Sequence, residues 1–213
     1  MFRILITGFF SLLFSSVLFA QTLVEGRDYV ELKNPLNVPK NSVVELFNVG
    51  CPHCASIARI LPNLFAILPD GVEFLPYHII TGAPYSAQAS QVLAVALAKD
   101  IESNISPKDS KSAFKQVLDV YFNAFFKERK NFKSADEFIA LGLAKMGITK
   151  EAYQNILKGD EAQGLLKTWQ DSTQYAQIQG TPTFIISGKY LILAQGLKSE
   201  EDFIFKVDYL LNK

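Results

Sequence analysis

The chain has 213 residues and a mass of 23.7 kDa, which fits one domain or one domain with an insertion. About half of the residues are apolar, and 21 basic residues balance 21 acidic ones, which excludes a disordered acidic chain and argues against a nucleic-acid-binding protein. Only two cysteines are present, Cys51 and Cys54, which excludes a disulfide-stapled mini-protein and a four-cysteine zinc module.

The first twenty residues have the pattern of an export signal. An apolar stretch of about 16 residues follows Arg3, the only charge in this segment, and the small residue Ala20 marks a plausible cleavage point. An uncleaved membrane anchor is the alternative, but the stretch is shorter than the roughly 20 residues that span a bilayer. We predict a cleaved signal peptide at 1–20 and a mature chain in an oxidising compartment, where disulfides persist.

The next segment predicts a βαβ unit. Residues 29–32 form a short first strand, and Ser42–Phe47 is β-branched and mostly apolar, as a buried central strand should be. A helix is predicted to begin at Pro52, because proline suits the first helical turn, and Pro62 is expected to kink or break it. Residues 72–80 predict the following strand, which completes the unit.

A block of helices follows. Residues 87–99 are rich in Ala, Leu and Val, Ser134 opens a capping box before a helix that Gly147 ends, and Thr149 and Asp160 are predicted N-caps of two more helices. Two further apolar faces have helical spacing: Phe114, Val117, Leu118, Tyr121, Phe122 and Phe125 in one, and Leu165, Leu166, Trp169 and Ala176 in the other.

The periodicity changes after Gly180. Thr183–Ile186 and residues 190–193 predict two strands of a hairpin around a tight turn at 187–188, and Ser199 caps a final helix. The order of elements is therefore βαβ, a helical block, and ββα, which predicts an α/β fold with inserted helices.

The two cysteines form a Cys-x-x-Cys site at the start of a predicted helix. Their spacing places both on one helical face, where they can form a disulfide. The free N–H groups and the dipole at the helix N-terminus favour the thiolate of Cys51, and His53 can donate to it or stabilise it by charge. We predict that Cys51 is the nucleophile and Cys54 the resolving cysteine, and that the stabilised thiolate makes their disulfide a strong oxidant.

An inert disulfide and a metal site are the two alternatives for this pair. A four-residue ring constrains the unfolded chain little, which argues against a structural disulfide. A metal site would need Cys51, Cys54, His53 and His78, although zinc sites usually take a second ligand pair from a distant segment. We therefore predict a redox site with no metal and no cofactor besides the cysteine pair.

The tetrapeptide Cys51-Pro52-His53-Cys54 resembles the active site of the DsbA family of oxidoreductases. The segment Gln-Gly-Thr-Pro at 179–182 and the helical block within a βαβ…ββα frame are also similar, and residues 75–78 and 188–192 look most like the DsbL branch. The resemblance implies a thioredoxin-like fold, with a thioredoxin-like domain at 21–84 and 179–213. It implies an inserted helical domain at 85–178.

The resemblance also implies roles for Thr181, Pro182 and Glu45. Pro182 is expected to be cis beside Cys51, and Thr181 stands where DsbA-type oxidases usually have Val and where isomerases often have Thr. Glu45 matches a buried acid that assists proton transfer near Cys54, and its usual Lys partner is replaced by Pro76. A lone buried carboxyl group would have a raised pKa, whereas a solvated position at a strand edge is the alternative for Glu45.

By this resemblance, the protein donates disulfides to reduced, newly exported proteins in the periplasm of a Gram-negative bacterium. A DsbB- or DsbI-type inner-membrane quinone reductase is the expected reoxidant, and a monomer that binds no nucleic acid is expected. The alternative is an isomerase or reductase that acts from the dithiol. Family isomerases have an N-terminal dimerisation domain, for which the roughly 30 mature residues before Cys51 are too few. A third possibility is a non-enzymatic chaperone that uses the aromatic-rich helices.

Overall fold

The computed structural model describes residues 22–213, and the predicted signal peptide at 1–20 lies outside them. One five-stranded sheet runs through the molecule in the order β1-β5-β4-β2-β3. The strands are β1 (Tyr29–Glu31), β2 (Ser42–Phe47), β3 (Glu73–His78), β4 (Thr183–Ile186) and β5 (Tyr190–Ile192). Strands β2 and β3 are parallel and the other neighbours are antiparallel, which confirms the predicted α/β, thioredoxin-like class.

Helices α1 and α2 connect β2 to β3, helices α3 to α8 lie between β3 and β4, and α9 follows β5. Their bounds are α1 (Pro52–Ile57), α2 (Leu61–Ile67), α3 (Ser86–Glu102), α4 (Ala113–Phe122), α5 (Ala135–Met146), α6 (Lys150–Leu157), α7 (Asp160–Asp171), α8 (Thr173–Ala176) and α9 (Glu200–Leu211). A π-helix, Asn123–Lys127, continues α4, and a 3-10 helix, Ala194–Gly196, precedes α9. Within residues 22–213, no helix has the length and hydropathy needed to cross a bilayer.

Several element boundaries differ from those expected, whereas the predicted break at Pro62 is confirmed. The strand predicted at 72–80 is shorter, Glu73–His78. Pro62 separates two helices, since α2 begins at Leu61 with the proline in its first turn, where a missing N–H is tolerated. The N-cap of α7 is Gly159 rather than Asp160, because Gly159 has the extended backbone of a cap and Asp160 is already the first helical residue.

The core has two parts, one on each face of the sheet. Because side chains alternate along a strand, Val44 and Leu46 of β2 pack with the inserted helices, whereas Val43 packs with α2 and α9. All six residues of β2 are buried. The inserted helices therefore share a core with the sheet, and the chain leaves the most buried strand directly into the Cys-x-x-Cys segment.

Candidate active site

Cys51 and Cys54 lie together at the start of α1. Cys51 is the N-cap of this helix, with extended backbone angles, and its Sγ accepts the backbone N–H of Cys54 at 3.2 Å. Cys51 is partly exposed and Cys54 is fully buried. The site thus presents one sulfur to solvent and keeps the second inside the core.

The two thiols have opposite pKa shifts. Hydrogen bonds from the Cys54 thiol, first, and from the Cys54 backbone N–H outweigh partial burial and lower the pKa of Cys51 to about 5. Burial, together with the hydrogen bond to Cys51, raises the pKa of Cys54 far above its ordinary value. At neutral pH, Cys51 is therefore a thiolate and Cys54 a thiol.

The other two residues of the tetrapeptide, Pro52 and His53, are exposed. Pro52 occupies the first helical position, as predicted. His53 contributes to the low pKa of Cys51 through its backbone N–H. The hydrogen bonds of residues 22–213 include none from the His53 ring to the Cys51 sulfur, so the predicted contact between ring and thiolate remains a prediction.

The segment before β4 lies directly against Cys51. The Thr181–Pro182 peptide bond is cis, and Cys51 Sγ lies 3.2 Å from the carbonyl oxygen of Thr181. The Thr181 side chain also helps to lower the pKa of Cys51. Gly180, at a φ of 85°, supplies the left-handed backbone that leads into this turn.

Gln179 anchors the same turn to the end of β5. Its Nε2 donates to the carbonyl oxygen of Ile192 at 2.9 Å, and its Oε1 accepts the N–H of Ala194 at 2.9 Å. In the sequence, Gln179 was only part of a family motif. Its two bonds place it as the side chain that holds the cis-proline turn on the sheet.

Glu45 lies in the middle of β2, paired with Pro76 of β3 and Phe184 of β4. It is only 3% exposed, so the alternative of a solvated strand edge is wrong. Burial, and then the negative charge of Cys51, raise the pKa of Glu45 to about 8. The Glu45 carboxylate in turn contributes to the raised pKa of Cys54.

Asn48 holds the loop between β2 and Cys51. Its Oδ1 accepts the N–H of Gly50 at 2.7 Å, and its Nδ2 donates to the carbonyl oxygen of Ile79 at 2.7 Å and to Ser86 Oγ at 2.8 Å. The side chain is 2% exposed. Asn48 was not predicted as a site residue, although a polar residue directly after a wholly buried strand was the available signal.

His78 supports the same loop from β3. Its Nε2 accepts the backbone N–H of Val49 at 3.2 Å, which leaves the ring proton on Nδ1, 2.6 Å from Ser90 Oγ. Burial lowers the pKa of His78 to about 3, so the ring is neutral. Both ring nitrogens are engaged within the fold, and His78 acts on the loop rather than as the metal ligand weighed in the sequence analysis.

Comparison with known proteins agrees with this geometry. Residues 108–204 match the model of the DSBA-like thioredoxin domain. The thiol:disulfide interchange protein DsbL of Escherichia coli is 31% identical over 184 residues, which cover 84% of this chain and 83% of the relative. DsbA of Haemophilus influenzae is 27% identical over 201 residues, which cover 92% of this chain and 90% of the relative.

The solved structures show the same relationship in three dimensions. The crystal structure of Salmonella enterica serovar Typhimurium DsbL superimposes with a TM-score of 0.80 at 31% identity, covering 91% of this chain and all of that chain. A Pseudomonas aeruginosa DsbA structure gives a TM-score of 0.70 at 25% identity, with 90% and 97% covered. The chain therefore belongs to the DsbA family of thiol:disulfide oxidoreductases, with DsbL proteins among its relatives.

Proposed function

We propose that the protein is a periplasmic dithiol oxidase that donates its Cys51–Cys54 disulfide to newly exported proteins. The observation that supports this most directly is the pairing of a stabilised Cys51 thiolate with a buried Cys54 thiol. Interactions that stabilise the thiolate stabilise the reduced form, so the disulfide is readily transferred to a substrate. The relatives named as thiol:disulfide interchange proteins support the same activity.

The reaction consists of two exchanges. A substrate thiolate attacks Cys51 Sγ, the Cys51–Cys54 bond breaks, and the electron pair passes to Cys54 Sγ, which takes up a proton. A second substrate thiolate then attacks the substrate sulfur of the mixed disulfide and releases Cys51 as a thiolate. The substrate gains a disulfide and loses two electrons, which the two cysteines of the enzyme receive. We assign Glu45 as the proton donor to Cys54, because it is buried, protonated at neutral pH and electrostatically coupled to that sulfur.

Thr181 and Pro182 are proposed to bind the substrate backbone. The Thr181 carbonyl oxygen lies beside Cys51, where an extended substrate segment can donate an N–H to it. Such an edge-to-edge contact recognises the main chain and tolerates many side chains. This arrangement suits an enzyme that acts on several reduced exported proteins.

The partners follow from this chemistry. Members of the family act on substrate proteins and are reoxidised at the membrane. We propose a DsbB- or DsbI-type quinone reductase of the inner membrane as the reoxidant, and a monomeric enzyme delivered by the signal peptide at 1–20. The redox-active cysteine pair needs no further cofactor for dithiol exchange.

Disulfide transfer to a reduced peptide with two cysteines tests the proposal. The oxidised protein should convert the peptide to its disulfide form, and Cys51→Ser should abolish transfer in vitro and complementation of a strain that lacks its periplasmic dithiol oxidase. A Cys51→Ser variant that still complements would instead indicate a chaperone. A protein that rearranges wrong disulfides from its dithiol form, and does not oxidise the peptide, would indicate an isomerase.

A further inference from the structure

We propose that Asn48 is a positioning residue for Cys54, and that Ser86 of the inserted helix α3 acts on this buried sulfur through Asn48. In this arrangement the inserted helices set how fast Cys54 attacks a mixed disulfide on Cys51. The inference rests on the proposed role of Cys54 as the resolving cysteine. It extends that role to two residues outside the Cys-x-x-Cys and cis-proline segments.

The first observation is that the side-chain amide group of Asn48 is fully hydrogen-bonded inside the fold. Its two N–H bonds are directed at the Ile79 carbonyl oxygen and at Ser86 Oγ, and its Oδ1 accepts the N–H of Gly50. The side chain is 2% exposed, so these partners are shielded from solvent. Among side chains of this size, only an amide supplies both an acceptor and two donors, since an ionised aspartate could donate to neither partner.

The second observation is that the backbone of Asn48 belongs to a tightly packed turn. Its carbonyl oxygen accepts the N–H of Cys51 at 3.0 Å, which closes a four-residue turn at 48–51. A Cβ atom at Gly50 would lie 3.1 Å from Asn48 Oδ1 and 3.1 Å from the Ala83 Cβ atom, so the turn has close neighbours on both sides. The side-chain bonds of Asn48 therefore fix the position of its own backbone between β2 and the cysteines.

The third observation is that this backbone interacts with the second sulfur. Burial, and then the hydrogen bond to Cys51, raise the pKa of Cys54, whereas a hydrogen bond from the Asn48 backbone N–H acts in the opposite direction. The N–H favours the thiolate of Cys54, which is the form that attacks a disulfide. Because Cys54 is fully buried, this hydrogen bond is stronger than it would be in water.

Ser86 connects this arrangement to the inserted helices. It is the first residue of α3 and is 2% exposed. Its hydroxyl oxygen accepts from Asn48 Nδ2 at 2.8 Å and from the backbone N–H of Thr81 at 2.9 Å. A continuous series of contacts thus runs from α3 through the side chain and backbone of Asn48 to Cys54.

Asn48 acts on the second exchange of a dithiol oxidation. With oxidised glutathione, the Cys51 thiolate first attacks the disulfide, forms a mixed disulfide and releases one glutathione thiolate. Cys54 then loses its proton, and its sulfur attacks Cys51 Sγ. The electron pair of the broken bond leaves with the second glutathione thiolate, which takes up the proton through solvent. The two cysteines lose two electrons to glutathione, and the Asn48 N–H stabilises the Cys54 thiolate that forms during the exchange.

The rate of this second exchange tests the role of Asn48. Reduced protein is mixed with oxidised glutathione at pH 7, and acid quenching with mass spectrometry follows the loss of the mixed disulfide as Cys54 resolves it. We expect Asn48→Ala to slow resolution about 10-fold, the size expected when a hydrogen bond to a charged sulfur is lost. The absorbance titration of Cys51 at 240 nm should stay unchanged, because the hydrogen bonds that lower its pKa come from α1 and the cis-proline turn.

A second variant keeps the test independent of folding at position 48. Ser86→Ala removes one partner of the amide group and should slow resolution about 3-fold. Ser172→Ala is the matched control, since Ser172 is a buried serine of the same helical block whose hydroxyl group donates to Thr168 at the end of its own helix. It should leave the rate unchanged. In an Asn48→Ala background, Ser86→Ala should have no further effect, because Ser86 acts through Asn48.

Three results would overturn the proposal. The first is equal resolution rates for Ser86→Ala and Ser172→Ala, which decides the question even if Asn48→Ala does not fold. The second is a fully additive effect of the Asn48 and Ser86 substitutions. The third is a rise in the pKa of Cys51 that accompanies the slower resolution, because the whole site would then have loosened. Glutathione exchange requires no protein substrate, so these results are separate from the test of oxidase activity.

Discussion

Cys51 is stabilised as a thiolate by neighbours that include the Cys54 thiol and the helical N–H groups. Its absorbance at 240 nm should therefore follow a titration centred near pH 5, and alkylation of the reduced protein by iodoacetamide should stay fast at pH 6. Cys51→Ser provides the blank for both measurements. A titration midpoint near pH 8.5, the ordinary pKa of cysteine, would contradict the stabilisation of the Cys51 thiolate.

Thr181 is the residue at which the site departs from the usual oxidase pattern. Its side chain helps to lower the pKa of Cys51, so Thr181→Val should raise that pKa and make the disulfide less oxidising. The effect should be modest, since one hydrogen bond contributes about 1 kcal/mol, less than one pKa unit. The absorbance titration measures the pKa of Cys51, and equilibrium with reduced and oxidised glutathione measures the reduction potential of the disulfide. If neither quantity changes in Thr181→Val, the hydroxyl group has no role in tuning the site.

At this scale, the sequence predicts residues that belong to short motifs and misses residues that act across the fold. The spacing of Cys51 and Cys54 is local, so their juxtaposition follows from one helical turn. His78 reaches the loop only because β2 and β3 pair in parallel with Phe47 opposite His78. That register is set by tertiary packing and cannot be predicted from the local sequence.

Among the elements, α5 packs closely against α3 and α4 at Gly142. A Cβ atom there would lie 2.6 Å from Val92 Cγ1 and would also clash with the Tyr121 hydroxyl group. Gly142→Ala should therefore destabilise the protein by about 1–3 kcal/mol through overpacking, despite the better helix propensity of alanine.

Gly164 of α7 is the matched control, since a Cβ atom there would meet open space. Gly164→Ala should stabilise the protein by about 0.5–1 kcal/mol, because glycine lowers helix propensity. Urea unfolding measures both variants. Equal effects of the two substitutions would mean that α3, α4 and α5 do not meet as closely as described.

A buried ammonium group joins helix α9 to the segment directly before β1. Lys206 is 1% exposed and pairs with Asp202 at 2.8 Å and with Asp28 at 3.3 Å. Lys206→Met leaves the Asp202 carboxylate without its cation and leaves Asp28 with Arg27 alone. The substitution should lower the free energy of unfolding by about 3 kcal/mol, as measured in urea. Lys167→Met on α7, which breaks an exposed ion pair, should change it by less than about 1 kcal/mol.

The free energy of unfolding should decrease as the pH falls below about 4, because Asp28 is then protonated in the unfolded chain. Burial opposes ionisation of Asp28, but hydrogen bonds from Arg27, Val24 and Lys206 hold its pKa at about 2, below the ordinary 3.8. The stabilisation from this group, about 2 kcal/mol, is present above pH 4 and is lost as the pH falls towards 2. Lys206→Met should lose less stability than the parent protein over that range, because one of these contributions is gone. If the two proteins lose stability equally, the Lys206 ammonium group does not contribute to the low pKa of Asp28.

The predicted elements agree with the structure where hydrophobic period and capping residues are strong. Ser134 and Gly147 bound α5 as expected. The π-helix Asn123–Lys127 was not predicted, since the apolar spacing that ends at Phe125 is equally compatible with a continued α-helix. The break between α7 and α8 was also missed, because Ser172 ends the helix without a glycine or proline nearby.

For the molecule as a whole, the sequence predicts the order βαβ, helices and ββα, but not the sheet order or the shared core. The inserted helices pack on one face of the sheet and α2 and α9 on the other, so β2 is covered on both sides. This cover buries Cys54 and Glu45 while Cys51 remains partly exposed. The unequal environments of the two sulfurs therefore arise from the whole fold rather than from the tetrapeptide alone.

These environments make the Cys51–Cys54 disulfide a donor. Its reduction potential, measured at equilibrium with reduced and oxidised glutathione, tests this most directly. We predict a value near that of DsbA, about −120 mV, with the reduced form the more stable one. A value near that of thioredoxin, about −270 mV, would mean that the protein holds its disulfide too tightly to donate it, and would identify a reductase instead.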